Sequence, residues 1–398
     1  MRLQEFAHGS RDMDFELTSE QKLIQDSTRR MSEREIVPIL KANDPMKPLP
    51  KEAMHRILKA CASQGLTAPR IPEADGGAGL SALTLGLMYE QLPPAIAFDV
   101  LAHEVTVARI HFDSTAEQKA RFIPDLIAAD RIACTATTEP AGGSDTRTIA
   151  TRATLDGNHY VLNGRKMWIS GITTADVVNV TAQVQGDAGR QAGIGRFLVE
   201  REHSPFDARA IDTLGLKQAH LGEVVFENCR VPKRNQCGAI GDAPKVLTVT
   251  WLINRPVIGL MAVGMAQTAL DAALKYAADR TQFGRPLAQF QLIQELLADI
   301  AAAVTSSRLL CYYALSCIDN GERANHVSAM AKRHAVAACQ RAVSMAMEVH
   351  GAMGIATEVG LEQLYRDIRM LPIPDGTNQI LTLIEGRELT GKEAIRGR

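Results

Sequence analysis

The stretch Thr148-Ile-Ala-Thr-Arg-Ala-Thr-Leu155, Asp156-Gly157-Asn158, His159-Tyr-Val-Leu162 decides how this chain is organised. Apolar and polar residues alternate on both sides of a glycine-containing break. A side-chain period of two belongs to strands, and Asp-Gly between two such runs is a hairpin signal. The pattern predicts a β-hairpin in the middle of the chain.

Further strands follow outward from it. Val177-Val-Asn-Val-Thr-Ala-Gln-Val184, Phe197-Leu-Val-Glu200 and Glu223-Val-Val-Phe-Glu227 are rich in β-branched residues. Short connections favour an antiparallel barrel or sandwich over βαβ units. Helical patterns stand on either side. Thr18-Ser-Glu-Gln21 reads as a helix start, with a hydroxyl cap and an acid or amide in the first turn. Lys51 to Gly65 carries apolar residues at helical spacing and stops at glycine, and Pro72 to Gly79 reads as a loop. Beyond Pro244, Leu292, Ile293, Leu296, Leu297, Ile300 and Val304 keep i, i+3, i+4 spacing, and Ala324 to Val349 repeats it with Ala and Met. Helices of this kind form bundles. The expected fold class is α+β multidomain and mostly α. It has an N-terminal extension at 1–12, a helical domain at 13–130, a middle antiparallel β-barrel or sandwich domain at 131–245 and a helical bundle domain at 246–398.

Composition narrows the function classes. The chain has 398 residues, is 46% hydrophobic and carries 44 Lys+Arg against 45 Asp+Glu, a formal net charge of -1. That is too apolar and too neutral for a disordered chain, and it gives no global footprint for nucleic acid. Seven cysteines are scattered without C-x-x-C or metal-type spacing, so neither a disulfide framework nor a metal site is expected. The most apolar stretch, Val246 to Ala266, is broken by Asn254, Arg255 and Pro256, so no membrane span is expected. The N-terminus has no apolar h-region, and a cytoplasmic location is expected.

The common nucleotide signatures are missing: no G-x-G-x-x-G after a strand, no P-loop and no G-x-S-x-G. Other segments stand out in order. Thr138-Glu-Pro-Ala-Gly-Gly-Ser-Asp-Thr146 offers glycines for close backbone approach, with hydroxyls and N–H groups suited to phosphate or flavin heteroatoms. Asn163-Gly-Arg-Lys-Met-Trp-Ile-Ser-Gly171 adds an indole and a hydroxyl. Arg280 to Gln291 (RTQFGRPLAQFQ), Glu348 to Gly354 (EVHGAMG) and Tyr365 to Gln379 (YRDIRMLPIPDGTNQ) complete the set.

Together these segments resemble the acyl-CoA dehydrogenase family, from Met13 to the C-terminus. The resemblance implies a helical domain, a β-domain and a four-helix bundle that hold FAD between them, in a homotetramer or a dimer. It implies an acyl-CoA or acyl-carrier thioester as substrate and an electron-transfer flavoprotein as partner. It places Thr138 on the flavin ring with Thr135 and Thr137 beside it, and Ser144 near both flavin phosphate and acyl-CoA. Trp168 packs on the flavin and Ser170 lies near its reactive nitrogen. Arg280 meets the FAD pyrophosphate of a neighbouring subunit, among Gln282, Phe283 and Gln291. Gly351 approaches FAD through its backbone, and Thr377 and Gln379 lie near the adenosine end. Arg255 belongs to the substrate and catalytic loop, with Gly376 also at the substrate. Ala352 and Met353 depart from the Gly and Asn often found there.

The largest departure is Asp375, where the family usually has a Glu that removes the α-proton of the thioester. The chemistry needs a carboxylate beside the α-carbon and hydrogen bonds to the thioester carbonyl, which make that proton acidic. Asp keeps the carboxylate but retracts it by about 1 Å, a displacement that can cost roughly 100-fold. An atypical acyl group, branched or cyclic, is one compensation. The related subfamily with its base before the Arg-Pro pair has no support, because Asn254 stands there. Glu104 and Asp99 lie in a segment that lines the acyl pocket in relatives, and either is a candidate second acid or base. His103 and His350 read as structural. The same superfamily holds nitroalkane oxidases with Asp at the base position, reductases, desulfinases and non-dehydrogenating flavoproteins, and these remain alternatives.

Overall fold

The computed structural model describes residues 16–145, 148–185 and 192–394. The N-terminal extension and Thr146 of the first glycine-rich motif lie outside them.

Helix α1 (Ser19–Met31) starts where the sequence places it. Thr18 and Gln21 form a reciprocal capping box that satisfies two orphan N–H donors. Its line continues through a π-helical turn, Ser32–Ile36, into α2 (Val37–Lys41). Helices α3 (Lys51–Ser63), α4 (Ala82–Tyr89), α5 (Pro94–Asp113) and α6 (Ala116–Ile127) follow. Gly65 ends the α3 region with φ +74°, a conformation that favours glycine. Helix α5 is buried on most sides and threads between the helical domains and the sheet. Its polar residues therefore need internal partners. His103 shows the pattern: Nε2 lies 2.9 Å from the Leu126 carbonyl while Nδ1 accepts from the Ala133 N–H at 3.1 Å. Burial pushes its pKa down to about 4, so the ring is neutral and structural.

The middle domain is one sheet of β1 (Ala133–Ala136), β2 (Arg152–Asp156), β3 (His159–Ser170), β4 (Val177–Val184), β5 (Gly193–Glu200), β6 (Asp207–Ala210), β7 (Leu221–Pro232) and β8 (Gln236–Cys237). The order is β6-β7-β3-β2-β4-β5-β8, with β1 branching onto β4. The expected hairpin is present: Asp156 pairs with His159 across Gly157-Asn158. The antiparallel expectation holds for β2–β3, β3–β7, β4–β5, β5–β8 and β6–β7, whereas β1 and β2 each join β4 in parallel. Strand β1 packs against α5 and leads directly into the first glycine-rich motif.

The C-terminal domain packs α7 (Ala243–Asp279), α8 (Gln291–Asp319), α9 (Asn325–His350) and α11 (Asn378–Thr390), with α10 (Leu361–Ile368) against α9. Gly259 on α7 permits close packing: a Cβ there would stand 2.6 Å from the Cys311 sulfur. By length and composition α7 and α8 are both apolar enough to cross a membrane, but the apolar window of α7 is 72% buried inside the protein and that of α8 39%. Between α7 and α8 a two-residue turn, Phe283-Gly284, joins the short strands β9 (Thr281–Gln282) and β10 (Arg285–Pro286).

Candidate active site

The three domains meet around a cavity of about 620 Å³. The sheet side contributes Thr135, Thr137, Thr138, Ser144, Trp168 and Ser170, and the C-terminal domain contributes Arg255, Asp375, Gly376 and Thr377. Sequence reasoning singled out each of these, and folding brings them to one space. Phe98, Leu101, Ala102 and Val105 of α5 give the apolar part of the wall.

On the sheet side the backbone is bent to serve the cavity. Strand β3 slips register against β7 between Lys166 and Ile169, and Trp168 sits at that bulge with φ +62°. A bulky residue at positive φ is a strained position, and bulges re-aim side chains next to functional sites. The indole is left 52% exposed, on the cavity. The two motifs are tied together: the Met167 N–H donates to the Thr138 carbonyl at 2.9 Å. Glu139 anchors the glycine-rich loop through the N–H groups of Ala150 (2.6 Å) and Thr151 (2.9 Å) and through the Lys166 ammonium (2.8 Å). Lys166 is fully buried. Burial pulls its pKa down to about 8, against the pull of Glu139. The Thr137 hydroxyl is buried and has no partner among the described residues. An exposed indole, an unpartnered hydroxyl and a glycine-rich loop fit a planar, heteroatom-rich cofactor such as a flavin.

On the helical side the loop Pro374-Asp375-Gly376 is held from several directions. Asp375 has φ +52°, a region Asp enters more readily than most residues, and Gly376 has φ +105°. Asn254 Nδ2 donates to Asp375 Oδ2 at 2.8 Å. Arg255 Nε donates to the Asp375 carbonyl at 3.2 Å and its Nη1 to Asn325 Oδ1 at 3.0 Å. Lys332, fully buried on α9, donates to the carbonyls of Pro374 and, at 2.7 Å, Gly376. Burial pushes the Lys332 ammonium down to about 7; Asp375 resists this and Arg255 adds to it. Behind Asn254 stands a buried pair. Arg70 Nη2 bonds Asn254 Oδ1 and Glu104 Oε1, each at 2.7 Å.

Other expectations are placed differently. Glu104 is fully buried and bonded to Arg70, so it reaches the site only through Arg70 and Asn254 and does not line the cavity. Burial raises its pKa, opposed by Arg70 and Arg109. Asp99 does line the cavity, with Oδ2 accepting from the His220 N–H at 2.9 Å and Oδ1 unpartnered among the described residues. The Thr377 hydroxyl caps α11 by accepting from the Ile380 N–H at 3.3 Å. Gln379 points into a separate hollow of about 390 Å³ lined by Arg333, His334 and Arg341. Arg280, Gln282, Phe283, Gln291 and Gly351 lie on the exposed surface outside the cavity; Phe283 is 93% exposed at its hairpin tip. His350 is structural, with Nδ1 2.8 Å from the Ala346 carbonyl and its ring stacked on Tyr276.

Sequence reasoning missed Arg70, Arg109 and Lys332. The signal for Lys332 was its position: a lysine at helical spacing among the small and apolar residues Ser328, Ala331, Ala335 and Val336, all buried.

Family comparisons cover the same three parts of the chain. Models described as the acyl-CoA dehydrogenase N-terminal, middle and C-terminal domains match residues 18–130, 134–229 and 245–390. The chain is 35% identical to cyclohex-1-ene-1-carbonyl-CoA dehydrogenase of Geobacter metallireducens, over 94% of this chain and 98% of that protein. Among solved structures it resembles butyryl-CoA dehydrogenase from Megasphaera elsdenii, with TM-score 0.87 and 28% identity over 95% of this chain and 100% of that one. It also resembles a glutaryl-CoA dehydrogenase from Mycobacterium smegmatis in complex with FADH2, with TM-score 0.86 and 26% identity over 96% and 97%.

Proposed function

Because this chain belongs to the acyl-CoA dehydrogenase family of FAD-dependent oxidoreductases, we propose that it desaturates the α,β-bond of an acyl-CoA thioester with Asp375 as the base. The observation that carries the proposal is the carboxylate of Asp375, held on the wall of the one cavity that also gathers Trp168, Thr137 and Ser170. FAD, when bound there, supplies a two-electron acceptor for the hydride leaving the β-carbon.

The chain's own residues divide the rest of the work. Asn254 occupies Oδ2 of Asp375, and no bond from a described residue reaches Oδ1, which is the oxygen left to take the α-proton. Lys332 and Arg255 hold the carbonyls around it, so the base is aimed by its loop and not by a long side chain. The apolar wall of Phe98, Leu101 and Val105 keeps water from the reacting carbon. The shorter base suits an acyl group of atypical shape, and the likeness to a dehydrogenase named for a cyclic acyl-CoA supports that.

The same reading includes an electron-transfer flavoprotein as acceptor, a cytoplasmic setting and a homo-oligomer, tetramer or dimer. The exposed Phe283 hairpin and the incompletely buried α8 support the assembly, with Arg280 and Gln282 reaching a neighbour's cofactor. The test is anaerobic mixing of the purified, FAD-loaded protein with a panel of acyl-CoA thioesters. Bleaching of the flavin, lost in Asp375→Asn, is expected. Fastest bleaching with straight-chain monocarboxylic esters counts against an atypical acyl group. Bleaching by nitroethane alone, with peroxide released in air, selects a nitroalkane oxidase instead.

A further inference from the structure

Arg109 stands on the cavity wall with no carboxylate bonded to it among the described residues. It lies on α5, is 5% exposed and lines the cavity. Its Nε and Nη2 both donate to one neutral acceptor, the Thr250 hydroxyl, at 3.0 and 2.8 Å. That hydroxyl is itself 2.9 Å from the Leu247 carbonyl, within the turn of α7 that carries it. No ion pair to Arg109 forms among the described residues.

The surrounding charges sharpen the contrast. Arg70 is matched by Glu104, and Arg196 by Asp113. Arg255 and Lys332 spend their donors on loop carbonyls and Asn325. Around the base, Arg70, Arg109, Arg255 and Lys332 outnumber Glu104 and Asp375; the further carboxylate on the cavity wall, Asp99, is engaged through Oδ2 by His220. Burial drives the Arg109 guanidinium down to about 10, and Asp375 is the leading charge that resists this. A buried cation without a bonded anion is costly, and guanidinium is shaped to take a carboxylate through two parallel bonds. In a cavity otherwise walled here by Phe98, Leu101 and Val105, such a group selects one class of ligand.

We propose that Arg109 receives a carboxylate at the far end of the acyl group, so that the substrate is the CoA thioester of a short dicarboxylic acid. The inference rests on the reading of the cavity as an acyl-thioester site and names the acyl group. The chain is short because Thr250, which holds Arg109, and Asn254, which holds Asp375, stand about one helical turn apart on α7, and the α-carbon must sit beside Asp375. The bonds that break are those of the desaturation already proposed; only the choice of thioester changes. The phosphates of the CoA carrier are a second possible source of the anion, and they are common to every ester in the test.

The experiment compares succinyl-CoA and glutaryl-CoA with butyryl-CoA and hexanoyl-CoA, by anaerobic flavin bleaching, in wild type, Arg109→Met and Arg109→Lys. The wild type should favour the dicarboxylic esters. Arg109→Met should lose about 100-fold more in kcat/KM for them than for the monocarboxylic esters, as expected for a broken buried charge pair. Arg109→Lys should fall between. FAD content and melting temperature check the fold of each variant. A wild-type preference for butyryl-CoA overturns the proposal even if no variant folds. An equal loss on all esters also overturns it, since that assigns Arg109 to the carrier or to structure. Bleaching by none of the esters, in protein that carries FAD, instead removes the acyl-dehydrogenase reading beneath it.

Discussion

Asn254 presents its amide nitrogen to Asp375, and Arg70 locks it in that orientation from the other side. A carboxylate only accepts, so it needs the NH2 end of the amide; Arg70 donates to Oδ1 of Asn254 at 2.7 Å and thereby holds Nδ2 on Asp375 Oδ2, 2.8 Å away. Glu104 in turn fixes Arg70. This makes Arg70 a positioning residue for a base it never touches. Arg70→Met should lower the rate of flavin reduction by about 10- to 100-fold while leaving KM within a few-fold, because a misaimed base costs the chemical step. Asn254→Leu should copy that kinetic split. Stopped-flow reduction measured against ester concentration checks both, and a rise in KM at unchanged limiting rate speaks against the arrangement.

Asp375 gives the sharpest test of the chemistry. General-base removal contributes about 10²- to 10⁴-fold, so Asp375→Asn should lose roughly that much in flavin reduction yet keep FAD. Asp375→Glu restores the methylene but must fit the same left-handed backbone, φ +52°, in a loop pinned by Lys332 and Arg255. If the acyl group is what compensates for the short base, the Glu variant should shift preference towards straight-chain monocarboxylic esters. Relative rates over the ester panel read this directly.

Trp168 shows where sequence and structure divide the information. The domain order, the Asp156–His159 hairpin and the Thr18 cap were legible, because periodicity and turn chemistry act over a few residues. The cavity wall was legible only through motifs. Nothing in the local sequence says that β3 slips register at Trp168 or that Lys332 is buried against a loop 42 residues later, since both are tertiary facts. The misplacement of Glu104 has the same origin: a helix buried on most sides gives no period to say which face meets a cavity and which meets Arg70.

The strain at Trp168 is itself testable. Trp168→Gly removes a positive-φ penalty of about 1 kcal/mol or more but also removes the exposed indole. The cofactor-free protein should therefore be as stable as wild type or more so, while FAD retention falls. Trp168→Phe should keep part of the retention. Melting of cofactor-free protein and FAD released on dilution separate the two effects; a variant that loses both together would make the indole a packing element.

Lys332 predicts a pH-dependent stability. Its ordinary pKa is 10.5, and burial lowers it to about 7 against the opposing charge of Asp375 and with the help of Arg255. The unfolded chain therefore binds a proton at Lys332 between pH 7 and 10.5 that the folded chain does not, and stability rises with pH across that window. Below pH 7 both states are protonated and the full cost of burying the charge remains. The neutral amine still carries hydrogens for the Pro374 and Gly376 carbonyls, so the loop stays tethered. Lys332→Met removes the titration and the tether together. Wild type should thus gain on the order of 1–2 kcal/mol over Lys332→Met between pH 6 and pH 9, measured by denaturant unfolding at each pH. The variant should also reduce its flavin more slowly at every pH, because nothing then holds the carbonyls on either side of the base. A stability difference that is flat with pH would mean that Lys332 titrates outside this range.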